Sequence, residues 1–189
     1  MHLDRCICAA APRLTLATRI VIVMHRRELA KPTATAPLAL RALTNSALSV
    51  YGHRDQPVDL HDLHDGGRRV LALFPAEDAV CLSEALERAD DRPITLIVPD
   101  GSWRQASKAL RRIPGLEEAE RVTLPAGPPT RYRLRREPKQ GGLATFEAIA
   151  RALGILESPA VQAQLEAFFE RMVEATLATR ESAPRANLD

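Results

Sequence analysis

Long apolar runs, a cysteine framework and a surplus of one charge are all missing from these 189 residues. No apolar stretch approaches the roughly 20 residues that a membrane-spanning helix requires. The three cysteines include two close together, Cys6 and Cys8, and a distant third, Cys81, which is no disulfide scaffold. A reducing cytoplasm is therefore the expected compartment. Lysine and arginine (26) nearly balance aspartate and glutamate (24), leaving a formal charge of +2. Any nucleic-acid partner must then be argued from where the cations lie, not from their total. The one apolar run near the N-terminus is short and ends in His25-Arg26-Arg27, so no secretory leader is expected. There is no Gly-x-Gly-x-x-Gly and no Walker lysine loop, which removes support for a dinucleotide site or an NTPase. A Gly-x-Ser-x-Gly elbow is also absent, and no histidine is obviously placed to serve Ser102 in acyl transfer. No internal repeat is visible.

The composition that is present, 46% hydrophobic and 26% charged, is that of a globular domain large enough for one sizeable core. Short, largely apolar stretches within 19–24, 69–74 and 94–98 read as strands, buried on both faces, and 121–124 reads as a short fourth. Helical spacing of apolar residues predicts helices over 37–51, 76–90, 102–113, 146–156 and 159–179. In the second of these, Glu77-Asp78 would complement the helix dipole. Strands alternating with helices predict an α/β domain with a mostly parallel sheet and flanking helices. That domain would run over 19–180, between an irregular arm (1–18) and a frayed tail (181–189). Residues 52–68 read as a polar connection. Its His53, His61 and His64 beside Asp62 and Asp65 are better explained by a solvated loop than by a metal site.

One stretch organises the rest. Ile94 to Val98 is a short apolar run, Asp100-Gly101 is a turn, Ser102 can cap the next helix, and Trp103 is the only tryptophan. Ligands of α/β sheets bind beyond the carboxyl ends of strands, where this turn lies. In the following helix Trp103, Ala106, Leu110 and Ile113 should face the core, while Arg104, Lys108, Arg111 and Arg112 form a basic face. A second basic segment, Arg131-Tyr132-Arg133-Leu134-Arg135-Arg136, would put Arg131, Arg133 and Arg135 on one side if extended, with Tyr132 able to stack on a base. Both surfaces suit phosphates. Further on, Thr145 is a natural N-cap for the helix that follows Gly141-Gly142. Cys6-Ile7-Cys8 could supply half of a tetrahedral zinc site and no more.

Taken together, these residues resemble the DTW-domain family, similar to the tRNA-uridine aminocarboxypropyltransferases. The namesake motif stands here as Asp100-Gly101-Ser102-Trp103, followed by Arg104-Gln105-Ala106. Companion motifs follow in order: His25-x-x-Glu28 with Lys31-x-Thr33-x-Thr35, Leu73-Phe74-Pro75, Tyr132-Arg133-Leu134-Arg135, and Leu143-Ala144-Thr145 with Glu147-Ala148. The resemblance covers roughly residues 6–157. It implies a SPOUT-like fold whose C-terminal part can be knotted. It implies S-adenosylmethionine as donor and transfer of its 3-amino-3-carboxypropyl group to N3 of a tRNA uridine, at position 47, releasing methylthioadenosine. A cytoplasmic monomer acting on tRNA, with no membrane partner, is the expected context.

On the resembling motifs, Asp100, Ser102 and Trp103 are the catalytic candidates, with Asp100 as general base for N3–H or as its orienting partner. Leu73, Phe74, Pro75, Val98, Pro99, Gly101, Leu143, Ala144 and Thr145 are the donor-binding candidates. His25, Arg26, Lys31, Arg104, Lys108, Arg111, Arg131, Tyr132, Arg133 and Arg135 are the candidates for RNA contact. The sequence departs from the family pattern in three places. The Cys-x-x-Cys pair expected ahead of Cys6 and Cys8 is not seen, which puts zinc in doubt. Ala34 stands where an asparagine is usual, and Ser102 replaces the commoner threonine while keeping the hydroxyl. Two other readings stay open: a SPOUT-type RNA methyltransferase using the same donor, and a non-catalytic RNA-binding domain.

Overall fold

A computed structural model describes residues 6–134 and 142–182. Its centre is a six-stranded sheet. The strands are β1 (Arg19–His25), β2 (Ser46–Tyr51), β3 (Arg69–Leu73), β4 (Val80–Cys81), β5 (Ile94–Asp100) and β6 (Glu120–Thr123). They lie in the order β2-β1-β5-β3-β6-β4, and every pairing is parallel. The helices are α1 (Arg26–Leu29), α2 (Pro37–Ala42), α3 (Leu82–Leu86), α4 (Trp103–Arg112), α5 (Thr145–Leu156) and α6 (Pro159–Ser182). No helix among the described residues is long and apolar enough to cross a membrane.

Strand periodicity splits the core into two layers. Ile20, Ile22, Met24, Leu71, Leu73, Leu96 and Val98 face one way, onto α2, α3, α5 and α6. Val21, Val23, Val70, Ala72 and Ile97 face the other way, onto α4 and the buried Leu60 and Leu63. On the first face, Phe146 of α5 is fully buried, with Phe168 and Phe169 of α6 at ring-centroid distances of 6.0 and 5.9 Å. On the second, Gly115 turns the chain after α4 at φ +87°, and a side chain there would run into the Leu60 carbonyl.

Three expectations need correction. The helix expected over 37–51 stops at Ala42, and residues 46–51 form β2 along β1. Thr44, Asn45 and Ser46 interrupt the helix. The Ser46 hydroxyl donates to the Leu43 carbonyl at 2.8 Å, a local bond that competes with helical continuation. The helix expected over 76–90 is only α3, preceded by the two-residue strand β4, in which Cys81 pairs with Thr123. Asp78 then serves no helix N-terminus; it pairs with Arg121 at 2.5 Å. Finally, Thr145 is the first helical residue of α5 rather than its cap, because Ala144 holds the extended N-cap conformation. The other predicted elements are present with small shifts at their ends, α6 running on to Ser182. The histidine-rich connection carries a short 3-10 turn, His61–Leu63, and His64 bonds the Gly115 carbonyl at 2.7 Å.

How the sheet ends decides where a ligand can go. β5 pairs with β3 only as far as Ile97↔Ala72, but stays with β1 through Met24↔Asp100. β3 meanwhile keeps β6 as its neighbour, and the Phe74 N–H donates to the Val122 carbonyl at 2.9 Å. Pro99 therefore sits where β5 no longer has β3 beside it, so its missing N–H costs no ladder bond on that side. The two strands splay, and a crevice opens between their carboxyl ends.

Candidate active site

A cavity of about 500 Å³ occupies that crevice, a size normal for a small-molecule site. Its floor is the end of β5 and the turn after it, Val98 to Trp103. One wall is Leu73-Phe74-Pro75 at the end of β3, and another is the proline-rich loop following β6. Leu143, Ala144 and Thr145 close it from the start of α5, and Glu28 with Thr33 and Thr35 from the segment after β1. The structure thus brings all nine donor-binding candidates and Asp100, Ser102 and Trp103 to one cavity.

Each functional side chain is held for a local reason. Asp100 is only 8% exposed, and its Oδ1 accepts a 2.5 Å hydrogen bond from the Thr145 hydroxyl. That bond joins two motifs 45 residues apart and fixes the carboxylate's orientation. Ser102 is the N-cap of α4 in a capping box. Its Oγ accepts from the Gln105 N–H at 3.3 Å, and the Gln105 carboxamide oxygen accepts from the Ser102 N–H at 2.8 Å. The box thus occupies two N–H groups at the start of α4 within the chain. Trp103 does not enter the core with Ala106, Leu110 and Ile113. Its ring lies 5.6 Å from that of Phe74, and the pair walls the cavity.

The first turn of α5 ties the cavity together. The Thr145 hydroxyl reaches Asp100, the Phe146 N–H donates to Thr35 Oγ1 at 3.3 Å, and the buried Glu147 carboxylate gathers three donors. Those are the Arg131 N–H at 2.7 Å, the Ala144 N–H at 3.0 Å and the Thr130 hydroxyl. Three successive residues thus bind three different walls.

The RNA-contact candidates divide. Arg26, Arg104, Lys108, Arg111 and Arg133 are exposed and form no ion pair among the described residues. Arg131 is exposed but lies 4.0 Å from Glu170. Lys31 pairs with Glu28 at 2.5 Å, so part of its charge is spoken for. Tyr132 does not stand on the surface as a stacking platform: its hydroxyl donates to the Thr33 carbonyl at 2.5 Å and its ring packs 5.7 Å from Phe169. A tyrosine tied at both ends lines the cavity instead. Residues 131–134 are irregular, not an extended strand, and Leu134 is buried. Arg135 and Arg136 lie outside the described residues.

His25 is half-buried behind the motif turn rather than open to a partner. Its Nδ1 accepts from the Arg27 N–H at 3.2 Å, and its ring meets Tyr51 edge-on at 5.0 Å. Burial lowers its pKa below the usual 6.5, and the charges of Arg27 and Arg26 lower it further. Burial also pushes the Tyr51 phenol up to about 12, helped by the negative charges of Asp100 and Glu28. The sign for His25 follows from the neutral form being favoured in the fold. Its contribution is complete above the unfolded pKa of about 6.5 and is lost as the pH falls from there toward the folded value. Thermal melts of His25→Gln should therefore fall less steeply between about pH 7 and pH 5 than those of the parent. Parallel curves would show that His25 carries none of the slope.

Cys6 and Cys8 are both exposed, and Arg41 donates to Cys8 Sγ at 3.0 Å. No group of three metal-ligating side chains gathers among the described residues.

Sequence reasoning did not single out the proline-rich loop, Glu147 as a clasp, or Arg151, which also lines the cavity. Glu28 belongs to the His25-x-x-Glu28 motif, and only the structure shows that it lines the cavity. Arg151 had one detectable signal: Ala144, Ala148 and Arg151 are spaced i, i+4, i+7, a single helical face that ends at the cavity.

The chain is 32% identical over 161 residues to tRNA-uridine aminocarboxypropyltransferase 2 of Drosophila melanogaster, spanning 81% of this chain and 62% of that protein. It is 30% identical over 159 residues to the protein of the same name from Mus musculus, covering 80% and 53%. The chain therefore spans between about half and three-fifths of these relatives' length. Among solved structures, the SAM-dependent rRNA:acp-transferase Tsr3 from Vulcanisaeta distributa aligns at 16% identity and a TM-score of 0.49, covering 86% of this chain and 79% of that one. A family model described as the DTW domain matches residues 1–177, and the chain belongs to the DTW-domain family.

Proposed function

We propose that this chain transfers the 3-amino-3-carboxypropyl group of S-adenosylmethionine to N3 of a uridine in tRNA, with position 47 as the expected target. The observation that carries the proposal is the buried Asp100 carboxylate, set by Thr145 at the floor of a cavity whose walls include Phe74, Trp103 and apolar side chains. The cavity fits the donor in size and in chemistry. Aromatic faces and buried carboxylates suit a sulfonium, and the apolar wall suits a nucleoside. Relatives named as tRNA-uridine aminocarboxypropyltransferases support the same reading.

The donor supplies an activated carbon beside its sulfonium; the new bond forms from uridine N3 to that carbon as the carbon–sulfur bond breaks, and neutral methylthioadenosine leaves. Asp100 takes the N3 proton, since N3 is a poor nucleophile while protonated. Thr145 keeps the accepting carboxylate in place. Phe74 and Trp103 exclude water from the reacting centre. Arg26, Arg104, Lys108 and Arg111, exposed and without an ion pair among the described residues, lie on α1 and α4, the helices that start next to the motif turn, and offer phosphate contacts. A monomeric state and a cytoplasmic location, where tRNA is found, belong to the same proposal.

Purified protein incubated with S-adenosylmethionine and undermodified tRNA should add the mass of one aminocarboxypropyl group to a uridine nucleoside. Addition of one methylene instead would make the protein a methyltransferase, and no mass change at all would leave it a binding domain.

A further inference from the structure

Three charged side chains line the cavity among the described residues: Glu28, Asp100 and Arg151. The two carboxylates already have partners, Glu28 in Lys31 and Asp100 in Thr145. Arg151 pairs with no carboxylate among the described residues. It is half-buried on α5, and its one hydrogen bond among the described residues is a long one, from Nη2 to the Pro129 carbonyl at 3.4 Å. The guanidinium lies across the loop at Gly127, where a side-chain carbon would come within 3.2 Å of Nη1. A partly desolvated cation beside a cavity, with most of its donors turned to nothing stronger than one carbonyl, is suited to an anion from outside.

We propose that Arg151 holds the α-carboxylate of the donor's amino-acid portion, an assignment that rests on reading this cavity as the S-adenosylmethionine site. The charges are complementary. The donor carries two positive centres, its sulfonium and its ammonium, and one negative carboxylate, while the cavity lining carries two carboxylates and one guanidinium. A planar guanidinium matches a carboxylate through two parallel N–H bonds, which an ammonium cannot reproduce. The consequence is discrimination between donor and product. Methylthioadenosine has neither carboxylate nor ammonium, so it gains nothing from Arg151, and its release is favoured once the charged group has moved to the uridine.

Calorimetry on the full chain with three ligands tests this. S-adenosylmethionine and S-adenosylhomocysteine both carry the carboxylate, and methylthioadenosine lacks it. Arg151→Gln should weaken the first two by about tenfold or more and leave methylthioadenosine within about twofold, and Arg151→Lys should recover part of the loss. An unchanged affinity for S-adenosylmethionine would overturn the assignment. So would an equal loss for all three ligands, which would mean that the side chain only shapes the proline-rich loop. A drop in tRNA affinity with donor binding intact would place the guanidinium against RNA and overturn it equally. A parent chain that binds none of the three would bring down the proposed function first and this assignment with it, and the parent titration alone identifies that case.

Discussion

Asp100→Asn should lower aminocarboxypropyl transfer by about 10²–10⁴-fold, the range of a general base in its transition state. The substitution is chosen for its shape. Asparagine keeps an oxygen to accept from the Thr145 hydroxyl, so the contact that joins the motif turn to α5 survives. What it removes is the capacity to take a proton. The loss should appear in kcat, with donor affinity by calorimetry changing far less. Residual transfer by the variant should also rise with pH, because solvent hydroxide must then do the work of the missing base. Thr145→Val should move kcat in the same direction by a smaller factor, since the carboxylate is still present but no longer held. If donor affinity fell by the same factor as the rate, Asp100 would be a binding group and the base would have to be sought elsewhere. Near-normal transfer would take it out of the mechanism.

The parts of this arrangement that could be seen in the sequence are those set by local pattern. β1, β3 and β5 are buried on both faces, so Ile20 to Met24, Val70 to Leu73 and Leu96 to Val98 stand out as continuous apolar runs. β2 hid because it is an edge strand of half-buried residues. Leu40, Leu43, Ala47, Leu48 and Tyr51 happen to satisfy helical spacing, and only the need of β1 for a neighbour decides against it. β4 is two residues long and leaves no periodicity to detect. The site shows the same division. The floor and the β3 wall are contiguous motifs and could be read directly. Tyr132 could not be placed, because a tyrosine among arginines looks the same in sequence whether it faces RNA or Phe169. Arg151 and the proline-rich loop meet only because α5 packs back onto the sheet, and no local pattern encodes that distance. Thr145 suited an N-cap by type, yet tertiary contact with Asp100 took its hydroxyl for another purpose.

Phe146→Ala should destabilise the fold by about 3–5 kcal/mol, read as a shift of the urea midpoint at constant slope. Phe146 is fully buried, and it bridges the sheet layer to Phe168 and Phe169 of α6. Truncation removes a large apolar surface and leaves a void that stiff neighbours can fill only in part. Set against a typical total of about 5–15 kcal/mol, that is a large fraction of the protein's stability. The position matters beyond its size. Thr145 and Glu147 sit on either side of it in the chain and carry the bonds to Asp100, Thr130, Arg131 and Ala144. The burial of one ring therefore sets the height at which the first turn of α5 meets the cavity. Phe146→Leu, which keeps most of the volume, should cost less in stability, yet it shifts that turn. Its signature should be a drop in kcat larger than its loss of stability would suggest in a protein still fully folded at the assay temperature. A Phe146→Ala variant less than about 1 kcal/mol weaker than the parent would mean that the site collapses around the gap. In that case the geometry of the cavity would have to be held by the Glu147 clasp alone.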